Sequence, residues 1–396
     1  MTPSPASGTT LDPSNIRVLK PLGKGATGTV LLVHDSVSDP SAASTVALKL
    51  LENPSSSSSS ARDRLLHEAS VLSLLTARPH PFLPSLVGGC NCLLVHDDLV
   101  AFALPYCPGG DLHVLRGQLP DRVFSPSSLR FYLSEIVSAL RHLHSLGLAF
   151  RDLKPENILI QGSGHLTLAD FDLSKHLPPP LPHSSANFSP RPWSNSKPKQ
   201  LPKPGLSLRK AKSSTARVSP VSRRRQSLSG KSYSFVGTEE YVAPEVIRGD
   251  GHGFAVDWWA LGVLAYEMSF GKTPFKGRTR KETFRNVLAK PVQCPGRRTA
   301  LTSLIEQLLA KDPSQRLGCS RGAEEIMEHE FFRGVRWDVL AEIARPPFIP
   351  PGIDADADAE ETTQGMDLME YLRKSREPQP ASSCCSFSDS DGRPTE

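Results

Sequence analysis

Hydrophobic and polar residues alternate along three runs near the start of the chain, between Ile16 and Leu50. The runs read IRVLKPL, TVLLVHD and STVALKLL, with glycines concentrated between the first two. A period of two predicts half-buried strands, and the glycines predict a tight turn. A later run, DDLVAFALPY, predicts another strand that ends at the turn CPGGD. NILI and HLTLAD flank a QGSG turn and predict a hairpin.

Apolar residues three and four positions apart predict helices in several other segments. The serine run Ser55–Ser60 predicts a loop before the first of them. The segments read ARDRLLHEASVLSLL, SSLRFYLSEIVSALRHLHSLG, AVDWWALGVLAYEMSFG and SLIEQLLAKD. Gly147 is the last residue of the second segment, where a helix C-cap is expected. The pattern therefore predicts strands mainly in the first part of the chain and helices mainly in the later part.

Composition and charge single out one segment of this 396-residue chain. The chain has a net charge of +5, but residues 178–231 contain twelve lysines and arginines and no acidic residue. The rest of the chain therefore has a net charge of −7. Ten of the 36 prolines also lie in this segment. We predict a disordered basic insert at about 176–231, because it has too little apolar surface to offset the cost of ordering.

The sequence also favours a reducing compartment. It contains no run of about 18 apolar residues and no apolar stretch at its start, so it predicts neither a spanning helix nor a secretory signal. Seven cysteines at irregular spacing do not suggest a disulfide framework. The close pairs Cys90/Cys92 and Cys384/Cys385 lack the CxxC spacing of zinc sites. We expect a cytoplasmic or nuclear protein.

A glycine-rich stretch between the first two runs fits the pattern G-x-G-x-x-G-x-V. Its residues are Gly23, Lys24, Gly25, Ala26, Thr27, Gly28, Thr29 and Val30. Alone, the pattern fits both an ordinary hairpin and a loop whose backbone N–H groups close over phosphates. A strand rather than a helix follows it, which excludes a dinucleotide-binding fingerprint.

Lys49 lies in the third run, on the same strand face as Ala47, a residue small enough for a purine to lie against. A lysine in an apolar strand is ordinarily an exposed edge residue. Glu68, however, lies nineteen residues later among core-facing positions of the first helical segment. Since a buried carboxylate needs a partner, we predict an ion pair between Lys49 and Glu68.

The stretch FRDLKPEN, followed by DFD, carries the groups that phosphoryl transfer requires. Asp152 is a carboxylate that can orient a hydroxyl nucleophile, and Lys154 is a cation for the transferred phosphoryl group. Asn157 and Asp170 supply oxygen ligands of the kind that Mg²⁺ prefers. A polar loop with chance charges is the alternative, and it leaves this combination unexplained.

Together with the later Ala243-Pro244-Glu245, these motifs follow the order found in eukaryotic protein kinases, and the chain resembles that family over residues 16–332, apart from the insert. Lys154, two residues after the catalytic aspartate, is the serine/threonine form. Phe150 in place of histidine is similar to the AGC group. Asp172 in place of the glycine of DFG, with the long insert, resembles the plant AGC VIII kinases. GKGATGTVLLVHD, SRRRQSLSG and FFRGVRWDVL look most like UNICORN-type members.

The resemblance implies an α+β, two-lobed fold. A β-rich small lobe with one main helix would span 15–107, and a helical large lobe 108–332. The leader 1–14 and most of the C-terminal tail 333–396 would be disordered. The aromatic F-x-x-F motif that ends many AGC kinases is missing. The resemblance therefore does not predict docking of the tail on its own small lobe or on an upstream kinase.

The resemblance also implies a role for each site residue, with ATP and Mg²⁺ as cofactors. Leu22 through Val30 would cover the ATP phosphates; Ala47, Leu104 and Leu159 would pack the adenine, and Pro105 to Cys107 would form the hinge. Lys49, paired with Glu68, would hold phosphates; Asp152 would be the catalytic base, Lys154 a phosphate contact, and Asn157 and Asp170 the metal ligands.

Ser234 would be the activation-loop phosphosite and Thr238 a catalytic-loop contact. Asp257 and the Glu245–Arg316 pair would be structural. Asp111, Glu156 and Glu267 would bind substrate arginines.

Alternatives remain for the whole chain and for the insert. A pseudokinase scaffold is the second interpretation, although all the catalytic groups are present. The insert is a plain linker, a nuclear-import or anionic-lipid patch, or a self-substrate through Ser227, which follows two arginines. Acylated Cys384 and Cys385 would add a membrane signal. Expected partners are basic protein substrates and an upstream kinase; we expect a monomer.

Overall fold

The alternating runs fold into one antiparallel sheet in the computed structural model, which describes residues 13–25, 28–35, 45–52, 59–89, 93–96, 99–177, 232–343, 346–350 and 365–376. Its strands are β1 (Ile16–Gly25), β2 (Gly28–Asp35), β3 (Thr45–Glu52), β4 (Leu94–His96), β5 (Leu99–Pro105) and β10 (Met366–Asp367). Their order across the sheet is β10-β1-β2-β3-β5-β4. The three predicted N-terminal strands are therefore present and pair in sequence order.

Helix α1 (Ser59–Ala77) packs on this sheet. Its apolar residues Leu65, Leu72 and Leu75 are buried in one cluster with Phe102 of β5. The helix begins at Ser59, so the last two residues of the serine run are helical rather than part of a loop. Residues 55–58 lie outside the described residues. The three-and-four spacing thus predicted the helix but not its first turn.

The larger lobe is helical. Its helices are α2 (Leu112–Gln118), α3 (Pro126–Ser145), α4 (Pro244–Arg248), α5 (Ala255–Phe270), α6 (Arg280–Ala289), α7 (Ala300–Leu308) and α8 (Ala323–Met327). Helix α3 begins where the side chain of Ser125 accepts a hydrogen bond from the N–H of Ser128. It ends before Gly147, whose φ of 72° suits the left-handed turn that follows. Helix α5 is buried along most of its length, which explains its continuous apolar sequence.

Short strands between the lobes position the motif residues. They are β6 (Leu148–Ala149), β7 (Ile158–Ile160), β8 (Leu166–Leu168) and β9 (Lys175–His176). Strands β7 and β8 pair antiparallel, which confirms the predicted hairpin around QGSG. The RDLKPEN stretch therefore lies between β6 and β7, and DFD follows β8 after one residue, Ala169. The small β-rich lobe and the helical lobe together form an α+β, two-lobed kinase fold.

Part of the C-terminal tail differs from the expectation of disorder. Strand β10 pairs with β1, and helix α9 (Leu368–Arg376) follows it directly. Leu368 and Leu372 lie one helical turn apart and are buried against β1, β2 and β3 residues such as Val18. The tail thus docks on its own small lobe without an F-x-x-F motif, because this apolar stripe covers the outer face of the sheet.

The other predicted unstructured segments lie mostly outside the described residues. These are residues 1–12 of the leader, 178–231 of the insert, and 344–345, 351–364 and 377–396 of the tail. Pro13–Asn15 of the leader forms a single 3-10 turn before β1. Within the described ranges, no helix combines the length and the apolar character needed to cross a membrane.

Candidate active site

The β1–β2 hairpin carries the glycine-rich stretch and extends beyond the core of the sheet. Residues 21–25 are exposed, as a cover over a ligand requires. Gly28 has a φ of 141°, and a Cβ there would overlap the carbonyl oxygen of Leu50 on β3. Glycine is therefore required at this position for the hairpin to approach β3. Ala26 and Thr27, at the tip, lie outside the described residues.

Lys49 and Glu68 form the predicted ion pair across the small lobe. Lys49 Nζ lies 2.5 Å from Glu68 Oε2 and 3.2 Å from Asp170 Oδ1. Burial raises the pKa of Glu68 to about 7, while Lys49 opposes the rise. Burial lowers the pKa of Lys49, but the charges of Glu68 and Asp170 outweigh it and raise the pKa overall. The lysine is thus held as a cation that joins α1 to the segment after β8.

The predicted adenine pocket lies where β3 meets β5. Ala47 pairs directly opposite Leu104 in the register of these strands. Leu159 on β7 forms a bridge with Asp111, just after the predicted hinge, and so approaches from the large lobe. Ala47, Leu104 and Leu159 are all half-buried, which leaves apolar surface for a planar ring.

The predicted hinge, Pro105 to Cys107, leads directly into a turn held by the large lobe. The N–H of Gly109 donates to the carbonyl of Ile160 at 3.1 Å, and the N–H of Ile160 donates to the carbonyl of Gly110 at 2.8 Å. Burial raises the pKa of the Cys107 thiol to about 12, so this cysteine is a neutral, half-buried thiol beside the pocket.

Asp152 is the centre of a hydrogen-bonded cluster and is 3% exposed. Lys154 Nζ donates to Asp152 Oδ2 at 2.7 Å, and the hydroxyl of Thr238 donates to Asp152 Oδ1 at 3.0 Å. Lys154 Nζ also donates to the Thr238 hydroxyl at 3.0 Å. The amide of Asn157 donates to Asp152 Oδ2 at 2.9 Å. These contacts fix the orientation of the carboxylate, as a base that receives a hydroxyl proton requires.

Asn157 and Asp170, the predicted metal ligands, lie on adjoining stretches of backbone. The N–H of Ala169 donates to the carbonyl of Asn157 at 2.9 Å, which brings Asp170 beside it. Because the amide nitrogen of Asn157 bonds to Asp152, its side-chain oxygen is the atom left for a cation. One carboxylate and one amide oxygen are the hard donors that suit a divalent metal held together with substrate phosphates.

Asp257 fixes the backbone of the catalytic loop from within α5. This fully buried carboxylate accepts hydrogen bonds from the N–H groups of Phe150 and Arg151, at 2.9 and 2.7 Å. It also pairs with His144 at 2.8 Å. The contacts stabilise Arg151 at a φ of 68°, a conformation that non-glycine residues seldom adopt. The structural role expected for Asp257 is therefore supported.

A second structural ion pair anchors the end of the activation segment. Arg316 donates through both terminal nitrogens to Glu245, at 2.7 and 2.9 Å. Both side chains are almost fully buried, and the geometry is bidentate. This is the pair that the sequence predicts between these two residues.

Ser234 lies in a polar cluster that includes the cations Arg151 and Lys175. Arg151 Nη1 donates to the Ser234 hydroxyl at 2.7 Å and to the Ser232 hydroxyl at 3.1 Å. Lys175 Nζ reaches Ser232 at 3.2 Å, and His252 Nε2 lies 3.4 Å from Arg151 Nη1. Burial lowers the pKa of Arg151 to about 10, and burial together with Arg151 lowers the pKa of His252 to about 4. Sequence reasoning found Arg151 and Ser234 but missed the other three residues, which are brought together only by the fold.

The three carboxylates predicted to bind substrate arginines have different surroundings. Asp111 accepts a hydrogen bond from the N–H of Val114 and caps α2. Glu156 is exposed and lies 3.7 Å from His113. Glu267 is 9% exposed and already paired, with Arg116 Nη1 at 2.9 Å and the Tyr241 hydroxyl at 2.5 Å. Glu156 is therefore the most accessible of the three, whereas Glu267 is buried and already paired with Arg116. Ser227, Cys384 and Cys385 lie outside the described residues.

Comparison with known sequences identifies the family. The protein kinase domain matches residues 16–191 and 221–332. The serine/threonine-protein kinase UCN of Arabidopsis thaliana is 53% identical over 385 residues, covering 95% of this chain and 93% of the relative. UCNL of the same plant is 52% identical with the same coverage, and OXI1 is 42% identical over 92% of this chain and 86% of the relative. The resemblance to the AGC VIII and UNICORN-type kinases is thus confirmed, and with it the general use of ATP and a divalent metal. The chain belongs to the protein kinase family, as a serine/threonine kinase among the plant AGC kinases.

Proposed function

We propose that this kinase transfers the γ-phosphoryl group of Mg²⁺-ATP to serine and threonine hydroxyls of basic protein segments, in regulatory signalling. The single observation that carries the proposal is the convergence of Lys154, Asn157 and Thr238 on the carboxylate of Asp152. Three donors hold this base in one orientation. Such positioning is most of what phosphoryl transfer asks of the protein.

In this mechanism Asp152 orients the acceptor hydroxyl and receives its proton, while Lys154 lies beside it as a cation for the transferred group. Lys49, held by Glu68, binds the nucleotide phosphates, and residues Leu22 to Val30 cover them. Asn157 and Asp170 hold Mg²⁺, which when bound neutralises phosphate charge. Ala47, Leu104 and Leu159 pack the adenine, next to a hinge from Pro105 to Cys107.

The preference for basic substrates rests on negative charge beside the catalytic loop. Glu156 lies four residues after Asp152 in the sequence. Its side chain is exposed and is therefore available to a substrate arginine. Asp111 lies nearby through its bridge to Leu159. An arginine–carboxylate pair at a partly desolvated cleft contributes about 1.5–3 kcal/mol. Each arginine removed from positions −3 and −2 of a substrate would therefore lower kcat/KM by about 10- to 100-fold.

A peptide panel tests this function. Purified full-length protein is incubated with Mg²⁺-ATP and serine peptides that carry arginine at −3 and −2, at one of these positions, or at neither. We expect kcat/KM to rise with the number of arginines in the peptide. In Glu156→Gln, the differences in kcat/KM between the peptides should become smaller. Equal phosphorylation of all peptides contradicts the basic preference. Nucleotide binding without any turnover contradicts the catalytic roles and favours the pseudokinase scaffold.

Two regulatory inputs complete the proposal. Phosphorylation of Ser234 would place an anion among Arg151, Lys175 and Ser232, a cluster that supports such a group electrostatically. The basic insert would serve as a nuclear-import or anionic-lipid contact, since its charge is of one sign. These two roles of the insert correspond to a cytoplasmic or nuclear location with a peripheral membrane pool.

A further inference from the structure

One face of helix α1 holds the segment that follows Asp170. Arg64, His67 and Glu68 lie three and four positions apart and therefore share this face. Glu68 Oε1 accepts a hydrogen bond from the N–H of Phe171 at 3.3 Å. His67 Nε2 lies 2.9 Å from the carbonyl oxygen of Ser174. Helix α1, which carries Glu68, the partner of Lys49, is thus also hydrogen-bonded to the DFD segment and to Ser174 just after it.

The third contact on this face is an ion pair. Arg64 Nη1 lies 3.8 Å from Asp172 Oδ2, and the guanidinium is also held by a 3.3 Å hydrogen bond from its Nε to the carbonyl of Ser60. The side chain of Asp172 is fully buried, whereas that of Arg64 is 28% exposed. A carboxylate buried to this extent requires neighbouring positive charge.

Asp172 is also close to cations of two other elements. Burial lowers the pKa of Arg151 in the catalytic loop, and Asp172 is one of the carboxylates that oppose this fall. Asp172 likewise helps to raise the pKa of Lys49 on β3. Its backbone is unstrained: among the described residues, the non-glycine positions with positive φ are Asp121, Arg122, Arg151 and Asp170. The position therefore accepts a side chain without left-handed backbone strain, and that side chain adds a charge where three elements meet.

We propose that Arg64 and Asp172 form a positioning latch, which holds α1 in the place where Glu68 pairs with Lys49. The carboxylate of Asp172 ties the helix to the DFD segment through Arg64. Both are positioning residues, since they act on the site through α1. The proposal goes beyond the substrate preference and phosphoregulation argued above and needs only the phosphotransfer activity of the family.

The latch is expected to act on the population of the competent state. Without it, α1 keeps its packing on the sheet and the contacts of His67 and Glu68. It loses the ion pair to Asp172, and the fraction of molecules with the Lys49–Glu68 pair falls. Coupling through a single charged contact of this kind is typically worth about a tenfold change. The effect should appear mainly in kcat/KM for ATP, because Lys49 is the group displaced.

A double-variant cycle tests the latch in full-length protein with matched phosphorylation. The variants are Arg64→Gln, Asp172→Asn, the double variant and the conservative Arg64→Lys, with Arg62→Gln as the control on another face of α1. We expect each neutral single variant to lower kcat/KM for ATP roughly tenfold, and the double variant to fall no further. Arg64→Lys should recover most of the loss, and Arg62→Gln should match the wild type.

Hydrogen exchange of the nucleotide-free proteins gives a second readout that does not depend on turnover. Amides in α1 should lose protection in Arg64→Gln and in Asp172→Asn, while the melting temperature stays close to that of the wild type. Wild-type rates and protection in Arg64→Gln would overturn the latch, as would losses that multiply to roughly a hundredfold in the double variant. Hydrogen exchange is measured without ATP. The loss of protection in α1 would therefore be observed even if the catalytic roles proposed above were wrong.

Discussion

The hydroxyl of Thr238 donates a hydrogen bond to the catalytic-loop carboxylate of Asp152 at 3.0 Å. Thr238 belongs to the activation segment, so this contact joins that segment to the proposed base across 86 residues of sequence. Lys154 bonds to both groups and closes a three-membered network. A disturbance of the activation segment is therefore transmitted directly to the orientation of Asp152.

The first prediction concerns this base. Asp152→Asn keeps the shape of the side chain, but it replaces one acceptor oxygen by an amide NH2 and removes the carboxylate that accepts the proton. We expect kcat to fall by about 10²- to 10⁴-fold with little change in melting temperature. The measurement is Mg²⁺-dependent phosphate transfer to an arginine-containing serine peptide, with thermal melting as the folding control. Near-normal turnover of this variant would show that Asp152 is not the base.

The second prediction concerns activation. Arg151 donates to Ser234, and Lys175 donates to the nearby Ser232. A phosphate on Ser234 would therefore gain a charge-assisted contact with Arg151, lie near Lys175, and order the segment that carries Thr238. We expect Ser234→Ala to lower activity roughly tenfold or more, as is typical for loss of such coupling. Tyr233→Phe, a change at the exposed neighbouring residue, should leave the rate intact. Mass spectrometry of the active enzyme must find phosphate on Ser234; an undiminished rate in Ser234→Ala would count against the switch.

Much of the site could be predicted from local patterns. Lys49 and Glu68 were predictable as partners because strand alternation and helical spacing placed both in a core that does not tolerate single charges. Lys175 and His252 were not, because the insert separates them in sequence and only their docking against Arg151 brings them together. Arg116 lies in an ordinary amphipathic helix, and nothing in its spacing reveals that it neutralises Glu267.

The docked tail shows a different limit. Leu368 and Leu372 carry a one-turn apolar spacing, but the acidic and serine-rich residues around them dominate the local composition and predict disorder. The missing information was the uncovered outer face of the sheet, which is a tertiary property. A short apolar stripe becomes an element only where such a face is available.

The third prediction tests this docking. Leu372 is 3% exposed and packs in the outer cluster of the small lobe, whereas its neighbour Met369 is 44% exposed. Leu372→Ala should lower the free energy of unfolding of the small lobe by about 2 kcal/mol, at the lower end of the range for core leucines, because the helix is peripheral. Met369→Ala is the matched control and should change it little. Hydrogen exchange should show the loss in β1 and β10; wild-type stability in Leu372→Ala would mean that the tail contributes no packing energy.

The fourth prediction concerns the pH dependence of stability. Lys311 lies over the Phe275 ring at 3.6 Å and the Trp259 ring at 4.9 Å. Burial, with help from Arg316 and Arg248, lowers the pKa of Lys311 to about 7 from an ordinary 10.5. The folded pKa is thus depressed, so the contribution of this group to stability is greatest above pH 10.5 and is lost as the pH falls through about 7.

Lys311→Met removes that charge and keeps an unbranched side chain beside the two rings. We expect the variant to gain about 1–2 kcal/mol over the wild type at pH 6.5 and less at pH 9.5, after allowance for solvent screening of a partly exposed group. Lys290→Met, at an exposed position, should show no such dependence. Thermal melting at both pH values is the measurement. A destabilised Lys311→Met at pH 6.5 would mean that attraction to the rings outweighs the cost of burial.

The last prediction links the proposed substrate preference to the basic insert. The stretch Arg224-Arg225-Gln226-Ser227-Leu228 has arginines three and two residues before a serine and an apolar residue after it. Exposed Glu156 beside the catalytic loop would pair with one of these arginines, and each pair contributes about 1.5–3 kcal/mol. We therefore expect autophosphorylation at Ser227, and weak competition for the cleft by the unmodified segment. Mass spectrometry after incubation with ATP should find phospho-Ser227 in the wild type and not in Asp152→Asn, and Arg224→Ala/Arg225→Ala should reduce it. Active enzyme with unmodified Ser227 would refute the self-substrate role, whereas a serine modified equally well without its arginines would refute the basic preference itself.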